Sequence, residues 1–237
     1  MNANEQKDRK GLVLRHIAHI ETAFPEKFGI PRQSGLVPQL RGRIVFGPPY
    51  RVREAFRGLE DFSHLWLIWE FSQARRESWS PTVRPPRLGG NTRMGVFATR
   101  SPFRPNPLGL SCVELDSIDW DAPDGPALWV RGADLLDGTP IYDIKPYLPY
   151  ADSRPDAKGG FAPAAPEPLA VDLPEELLAG WPPETLEALR AVLAEDPRPS
   201  YQEDPDRVYG MAFGSWNVKF TVREGTLTVH TILPRKN

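Results

Sequence analysis

SCVELDSIDWDAPDGPALWVRGADLLDGTPIYDIKPY, residues 111–147, decides how this chain folds. In SCVELDSI (111–118), apolar Val113 and Leu115 alternate with Glu114 and Asp116, the period of two that a half-buried strand requires. ALWVRGA (127–133) and PIYDIKPY (140–147) are two more strand candidates. The turn clusters DAPDG and LLDG separate the three, and connections that short join antiparallel neighbours.

Upstream, GLVLRHIAHI (11–20) has a rough period of two and GRIVF (42–46) is apolar, so both read as strands. LWLIWEF (65–71) is almost continuously apolar and suits a buried strand. MGVFAT (94–99) predicts a short strand, and RVREAFRGLE (51–60) one short helix. FPEKFGIPRQSG (24–35) and RSPFRPNPLG (100–109) read as structured loops. Six or so strands with little helix predict a curled sheet closing into a barrel. The 27 prolines agree, since proline inside a helix costs about 3 kcal/mol.

Downstream, residues 151–169 are rich in Asp, Pro, Ala and Gly and read as a linker or wrapping arm. PPETLEALRAVLAED (182–196) predicts a helix with proline at its start and an apolar stripe of Leu186, Leu189, Val192 and Leu193. Three short runs at 208–213, 216–222 and 226–233 predict a small sheet. The expectation is a mainly β protein: a β-barrel domain over 1–150, the arm at 151–169, and a small α+β domain over 170–237.

The composition of the 237 residues, 40% hydrophobic and 25% charged, excludes wholesale disorder. No apolar run approaches the roughly 18 residues of a membrane span, and the polar start MNANEQKDRK does not read as a signal peptide. The single cysteine, Cys112, excludes an intrachain disulfide and fits a cytoplasmic location. Four histidines and one cysteine supply no tight ligand cluster, so no metal is expected; His16 and His19 fall on opposite faces of a predicted strand as surface or core residues. G-x-G and P-loop patterns are both missing, which argues against a Rossmann or P-loop nucleotide site. Neither Ser34 nor Ser101 sits in G-x-S-x-G.

A net charge of −2 confines any attraction to polyanions to a local patch. One exists: Arg75, Arg76, Arg84, Arg87, Arg93, Arg100 and Arg104 lie between Gln73 and Ser111, with Glu77 as the only acid. Arginine matches carboxylate and phosphate with a planar fork and stacks on bases, and the prolines among these residues fix the loops that carry them. The patch reads as an anion or RNA surface unless acids elsewhere in the chain pair with it.

MGVFATRSPFRPNPLG (94–109) resembles the signature of the TrmO family, also called YaeB or TsaA-like, through Gly95, Phe97, Arg100, Ser101, Arg104, Pro105 and Asn106. FGIPRQSGLV (28–37), RGLEDFSHLW (57–66), PTVRPPRLGGN (81–91) and DLLDGTPIYDIKPYLPYADS (134–153) resemble it in order. EDPRPSY (195–201) is similar to the bacterial form, which carries an extra C-terminal module. The resemblance implies a homodimeric, S-adenosylmethionine-dependent tRNA methyltransferase built on a β-barrel rather than a Rossmann sheet. It implies methylation at N6 of threonylcarbamoyl-adenosine at tRNA position 37, beside the anticodon.

By position, the resemblance implies cofactor contacts at Pro31, Arg32, Gln33, His64, Leu65, Arg100, Leu110, Asp134, Leu135, Leu136 and Asp137. Arg32 or Arg100 would hold the donor's carboxylate, and Asp134 or Asp137 its ammonium or ribose hydroxyls. Tyr142, Asp143 and Lys145 are candidates for polarising the substrate. Arg84, Arg87, Arg93, Arg104 and Asn106 are candidates for contacting RNA, as are Arg198 and Tyr201 unless their segment merely ends the helix. The competing readings are a non-catalytic RNA- or anion-binding barrel, and a methyltransferase for another RNA or a small molecule.

Overall fold

The computed structural model describes residues 11–178, 180–199, 202 and 204–235. In chain order the elements are β1 (Ala18–Glu21), β2 (Arg41–Phe46), β3 (His64–Glu70), β4 (Thr82–Val83), β5 (Met94–Gly95), β6 (Leu108–Asp119), β7 (Ala127–Arg131) and β8 (Thr139–Pro146). There follow α1 (Pro149–Asp152), β9 (Ala170–Asp172), α2 (Pro183–Ala194), β10 (Tyr209–Phe213), β11 (Trp216–Arg223) and β12 (Thr226–Pro234). Six strands close a barrel in the order β1-β2-β7-β6-β3-β8, every pair antiparallel.

The alternation that marks these strands in the sequence fills the barrel. Ile20, Ile44, Leu65, Leu67, Val113, Leu128, Val130 and Ile141 are all buried in one core. Trp69 lies directly on β6 at Gly109, where a Cβ would fall inside the indole. A side chain at position 109 would evict the ring.

Three expectations need correction. The first strand begins at Ala18, not Gly11: its registered pairs stop there, opposite Phe46 of β2 and Ile141 of β8, and Leu12 and Val13 are left 87% and 80% exposed. Residues 51–60 form two 3-10 turns, Arg53–Phe56 and Leu59–Asp61, instead of a helix. Gly58 between them takes a φ of +82°, which breaks any helical ladder, and only Phe56 is buried. MGVFAT contributes just Met94–Gly95 to a two-stranded ribbon with Thr82–Val83; Val96–Ala98 turn as 3-10.

The second unit is a four-stranded sheet, β10-β11-β12-β9, with β9 parallel to β12. The apolar stripe of α2 (Leu189, Val192, Leu193) packs with Met211, Phe220 and Leu227 of this sheet. Phe24, Val37 and Leu40, from the segment between β1 and β2, are buried in the same cluster. Gly29 takes a φ of +97° in that segment, and a Cβ there would collide with the Met211 thioether. The loop at 24–40 therefore belongs structurally to the C-terminal unit as much as to the barrel. No helix among the described residues is long and apolar enough to cross a membrane.

Candidate active site

A cavity of about 590 Å3 opens beside the barrel, where four segments converge on the β3–β6 pair. They are the 27–33 loop, the exit of β3 through Ala74, the 99–104 loop, and the turn from Asp134 to Thr139. Its size falls in the range of roughly 300–1,000 Å3 found for small-molecule sites.

One wall is cationic. Phe28 stacks on Tyr209 and Phe220 with ring centroids 6.4 and 6.5 Å apart, which fixes the loop that carries Arg32. Arg32 donates to the Arg198 carbonyl at 3.1 Å. The Arg100 guanidinium donates to the Gln33 side-chain oxygen, tying the 99–104 loop to the 27–33 loop. Arg104 donates to the carbonyls of Val96 (3.2 Å) and Thr99 (2.7 Å), so its fork holds the loop that presents Arg100.

The other wall carries two carboxyl groups whose surroundings push them in opposite directions. Trp69 Nε1 donates to Ser111 Oγ at 2.9 Å, and Ser111 Oγ donates to Asp134 Oδ1 at 2.6 Å. Burial pushes the Asp134 carboxyl above its usual range, and the Ser111 hydrogen bond only partly opposes this. Such a group gains most from a cation placed beside it.

Glu70 is 2% exposed yet fully satisfied. Its Oε1 accepts from Arg75, and its Oε2 meets His16 Nε2 and the Tyr142 hydroxyl, each at 2.8 Å. The hydrogen bond from Arg75, the largest influence, outweighs burial and, with Tyr142 and His16, holds Glu70 down to about 2. Burial and the Glu70 carboxylate push the Tyr142 phenol up, so it serves Glu70 as a donor.

Of the cofactor positions named from the sequence, Pro31, Arg32, Gln33, Arg100, Leu110, Asp134 and Leu136 line the cavity. Leu65 and Leu135 instead point into the barrel core, 0% and 1% exposed. His64 is exposed, bonded to Ser63 Oγ at 2.9 Å. Asp137 is exposed and accepts from the Thr22 amide at 2.9 Å, which joins the turn to the end of β1. Tyr142, Asp143 and Lys145 are not cavity-lining; Asp143 and Lys145 pair at 3.1 Å.

Arg84, Arg87, Arg93 and Asn106 are exposed outside the cavity, whereas Arg104 lines it. Arg198 is turned onto Asp196 by two hydrogen bonds of 2.8 and 2.9 Å. Tyr201 lies outside the described residues. His16, expected on a strand, precedes β1 and serves Glu70.

Sequence reasoning passed over Trp66, Trp69, Glu70, Phe103 and Ser111. Glu70 left one signal, an acid inside an otherwise apolar strand, which must find partners once buried. Among the described residues, no group of three His, Cys, Asp or Glu is placed to hold a metal ion.

Comparison with known proteins bears on the whole chain. The family described as tRNA-methyltransferase O N-terminal domain matches residues 19–153, and the TrmO C-terminal domain matches residues 166–235. A tRNA (adenine(37)-N6)-methyltransferase of Escherichia coli (strain K12) is 45% identical over 229 residues, 92% of this chain and 97% of that protein. One from Eikenella corrodens is 50% identical over 173 residues, 73% of this chain and 97% of that protein. The crystal structure of TrmO from Pseudomonas aeruginosa superposes with a TM-score of 0.77 at 35% identity, covering 94% of this chain and 98% of that one.

Proposed function

This chain belongs to the tRNA-methyltransferase O family, and from that membership we propose that it transfers the methyl group of S-adenosylmethionine to N6 of adenine 37 in tRNA. The observation that carries the reading is the charge layout of one cavity: Arg32 and Arg100 on one wall, and on another Asp134, whose carboxyl burial pushes up.

The residues present fit the donor. Its carboxylate suits the forks of Arg100 and Arg32, with Gln33 bonded to Arg100. Its ammonium or ribose hydroxyls suit Asp134, which the added cation would help to ionise. Trp66, Leu110 and Leu136 offer apolar faces for the adenine, and Pro31 stiffens the loop beneath. Leu65, Leu135, His64 and Asp137 serve by holding their lining neighbours in place.

S-adenosylmethionine supplies an electrophilic methyl group on a sulfonium. The chain's own task is to hold the target nitrogen in line with that methyl and to exclude water. Positioning of this kind is worth up to about 7–11 kcal/mol of the barrier. The target nitrogen loses a proton on methylation. Asp143 and Lys145 stand in register with Ile68 and Trp66, and so share the sheet face that brings Trp66 to the cavity. We assign them to handling the substrate's proton and polar groups. Tyr142 acts behind them through Glu70.

The finer reading is that N6 of the substrate already bears a threonylcarbamoyl group. Its carboxylate adds an anion for Lys145 or the exposed arginines at 84, 87 and 93. We further infer a homodimer working in the cytoplasm, where tRNA is found. Light scattering on the purified protein tests the first point, and localisation of a tagged chain the second.

The decisive assay incubates the protein with labelled donor and tRNA that carries or lacks the threonylcarbamoyl group. Label entering only the modified tRNA supports the full reading. Label entering both removes the threonylcarbamoyl requirement. Donor binding without transfer to any tRNA points to another substrate. Calorimetry showing no donor binding leaves only an RNA-binding barrel.

A further inference from the structure

Beside the cavity, the structure exposes aromatic rings that its own packing does not need. Trp79 is 50% exposed and Phe97 73%, with ring centroids 6.0 Å apart. Phe103, on the cavity rim, is 37% exposed, and the Arg76 guanidinium lies 3.7 Å from its centroid. Arg104 reaches within 5.9 Å of the Phe97 ring. Large rings left in water cost stability, and a contiguous apolar patch rimmed by charge marks a binding surface.

Past Arg75, no arginine of the stretch up to Arg104 is neutralised by an acid among the described residues. Arg41, Arg43, Arg53, Arg131, Arg223 and Arg235 each pair with an Asp or Glu. Among the described residues, none of Arg76, Arg84, Arg87, Arg93, Arg100 and Arg104 forms an ion pair; those with hydrogen bonds reach neutral oxygens. No acid occurs between residues 78 and 113.

This composition selects the partner. A two-fold contact sets a patch against its own copy, which here would oppose like-charged arginines with Glu77 as the one acid of the stretch to relieve them. A polyanion with exposed flat rings satisfies both halves of the surface. Unpaired RNA bases stack on aromatic side chains and on guanidinium planes, while their phosphates meet arginine.

We propose that Trp79 and Phe97, with the Arg76–Phe103 pair beside them, form a stacking face for the unpaired bases flanking the target adenine in the anticodon loop; this rests on the tRNA reading above. The face adjoins the cavity through Phe103 and Arg104, so bases stacked there stay outside while their neighbour enters. It assigns the aromatic rings to loop recognition and leaves donor binding to the cavity wall.

The test is a binding cycle. Dissociation constants are measured for the full-length protein and its Trp79→Ala/Phe97→Ala double variant. Each is tested with an intact threonylcarbamoylated tRNA and with the same tRNA made abasic on both sides of position 37. The double variant should bind intact tRNA about ten- to a hundred-fold more weakly, the range that loss of base stacking gives. The abasic tRNA should bind the original protein with a similar deficit, and combining both changes should add little. The dependence of log Kd on log salt should keep its slope, since every arginine that can meet a phosphate is still present. Trp79→Phe with Phe97→Tyr should restore affinity, and donor affinity should not change.

The proposal is overturned if the double variant binds intact tRNA as tightly as the original protein. It is equally overturned if the two deficits simply multiply, or if the variant changes oligomeric mass in light scattering while keeping its tRNA affinity. The last outcome would assign the face to a second copy of the chain. Absence of methylation by the original protein would strike at the activity instead, and the binding cycle would still decide the face.

Discussion

Asp134 is held at odds with its surroundings, since burial raises its carboxyl while the Ser111 hydrogen bond steadies it. Above the ordinary carboxylate range, ionising Asp134 costs the chain stability when the donor is not bound, because burial disfavours the charge. Asp134→Asn keeps an acceptor for Ser111, so it should raise Tm at pH 7 by roughly 2–4 °C, the shift that about 1 kcal/mol produces at this size. Below the ordinary carboxylate range that gain should vanish, because both proteins are then neutral there. Donor affinity by calorimetry should fall about tenfold or more, as expected for losing a charged partner. A lower Tm with unchanged donor affinity would make Asp134 structural. Glu70 has the opposite sign. Its pKa is held down from 4.5 to about 2, so it stabilises the fold above pH 4.5 and loses that contribution as pH falls through 2. Glu70→Gln should cost about 2 kcal/mol at pH 7, a figure already reduced because Arg75 is mostly exposed. In urea titrations the gap should close between pH 4.5 and 2; a constant gap would mean that packing, not charge, is lost.

Among the elements, the 24–40 loop is the one whose shape depends on a single glycine. Gly29→Ala would place a Cβ against Met211 at a φ of +97° and should cost about 1–3 kcal/mol. Because the loop carries Pro31, Arg32 and Gln33, donor affinity should fall in the same variant, and calorimetry beside a denaturant titration would show both. Unchanged donor affinity would separate the loop from the site. The barrel strands were legible because each inward side chain leaves a period of two, as Val113 and Leu115 do. Residues 51–60 were not, since apolar spacing carries no record of the left-handed turn at Gly58. Arg32 and Arg100 sit in long, ordered segments of the family pattern, and both line the cavity. Glu70 was not, because its partners His16 and Tyr142 lie 54 and 72 residues away and only the closed barrel brings them together. Leu65 and Leu135 show the same limit from the other side: position in a motif does not say which face of the backbone a side chain takes.

At the scale of the molecule, a net charge of −2 is divided unevenly, since the stretch from 78 to 113 carries arginines and no acid. Binding of tRNA should therefore weaken steeply with salt. Replacing Arg84, Arg87 or Arg93 by Ala should lower the salt slope by about 1 for each phosphate that the variant no longer neutralises. Filter binding across roughly 50–300 mM salt measures this; an unchanged slope in all three variants would move the RNA elsewhere. The core that Phe24, Val37 and Leu40 share with α2 and β10–β12 has a genetic corollary. Substitutions that loosen Leu193 or Phe220 would slacken the loop bearing Arg32 without touching the barrel. A mutational screen for impaired donor uptake would then recover changes in the codons for α2 and β11, more than 150 codons from the arginine they disable.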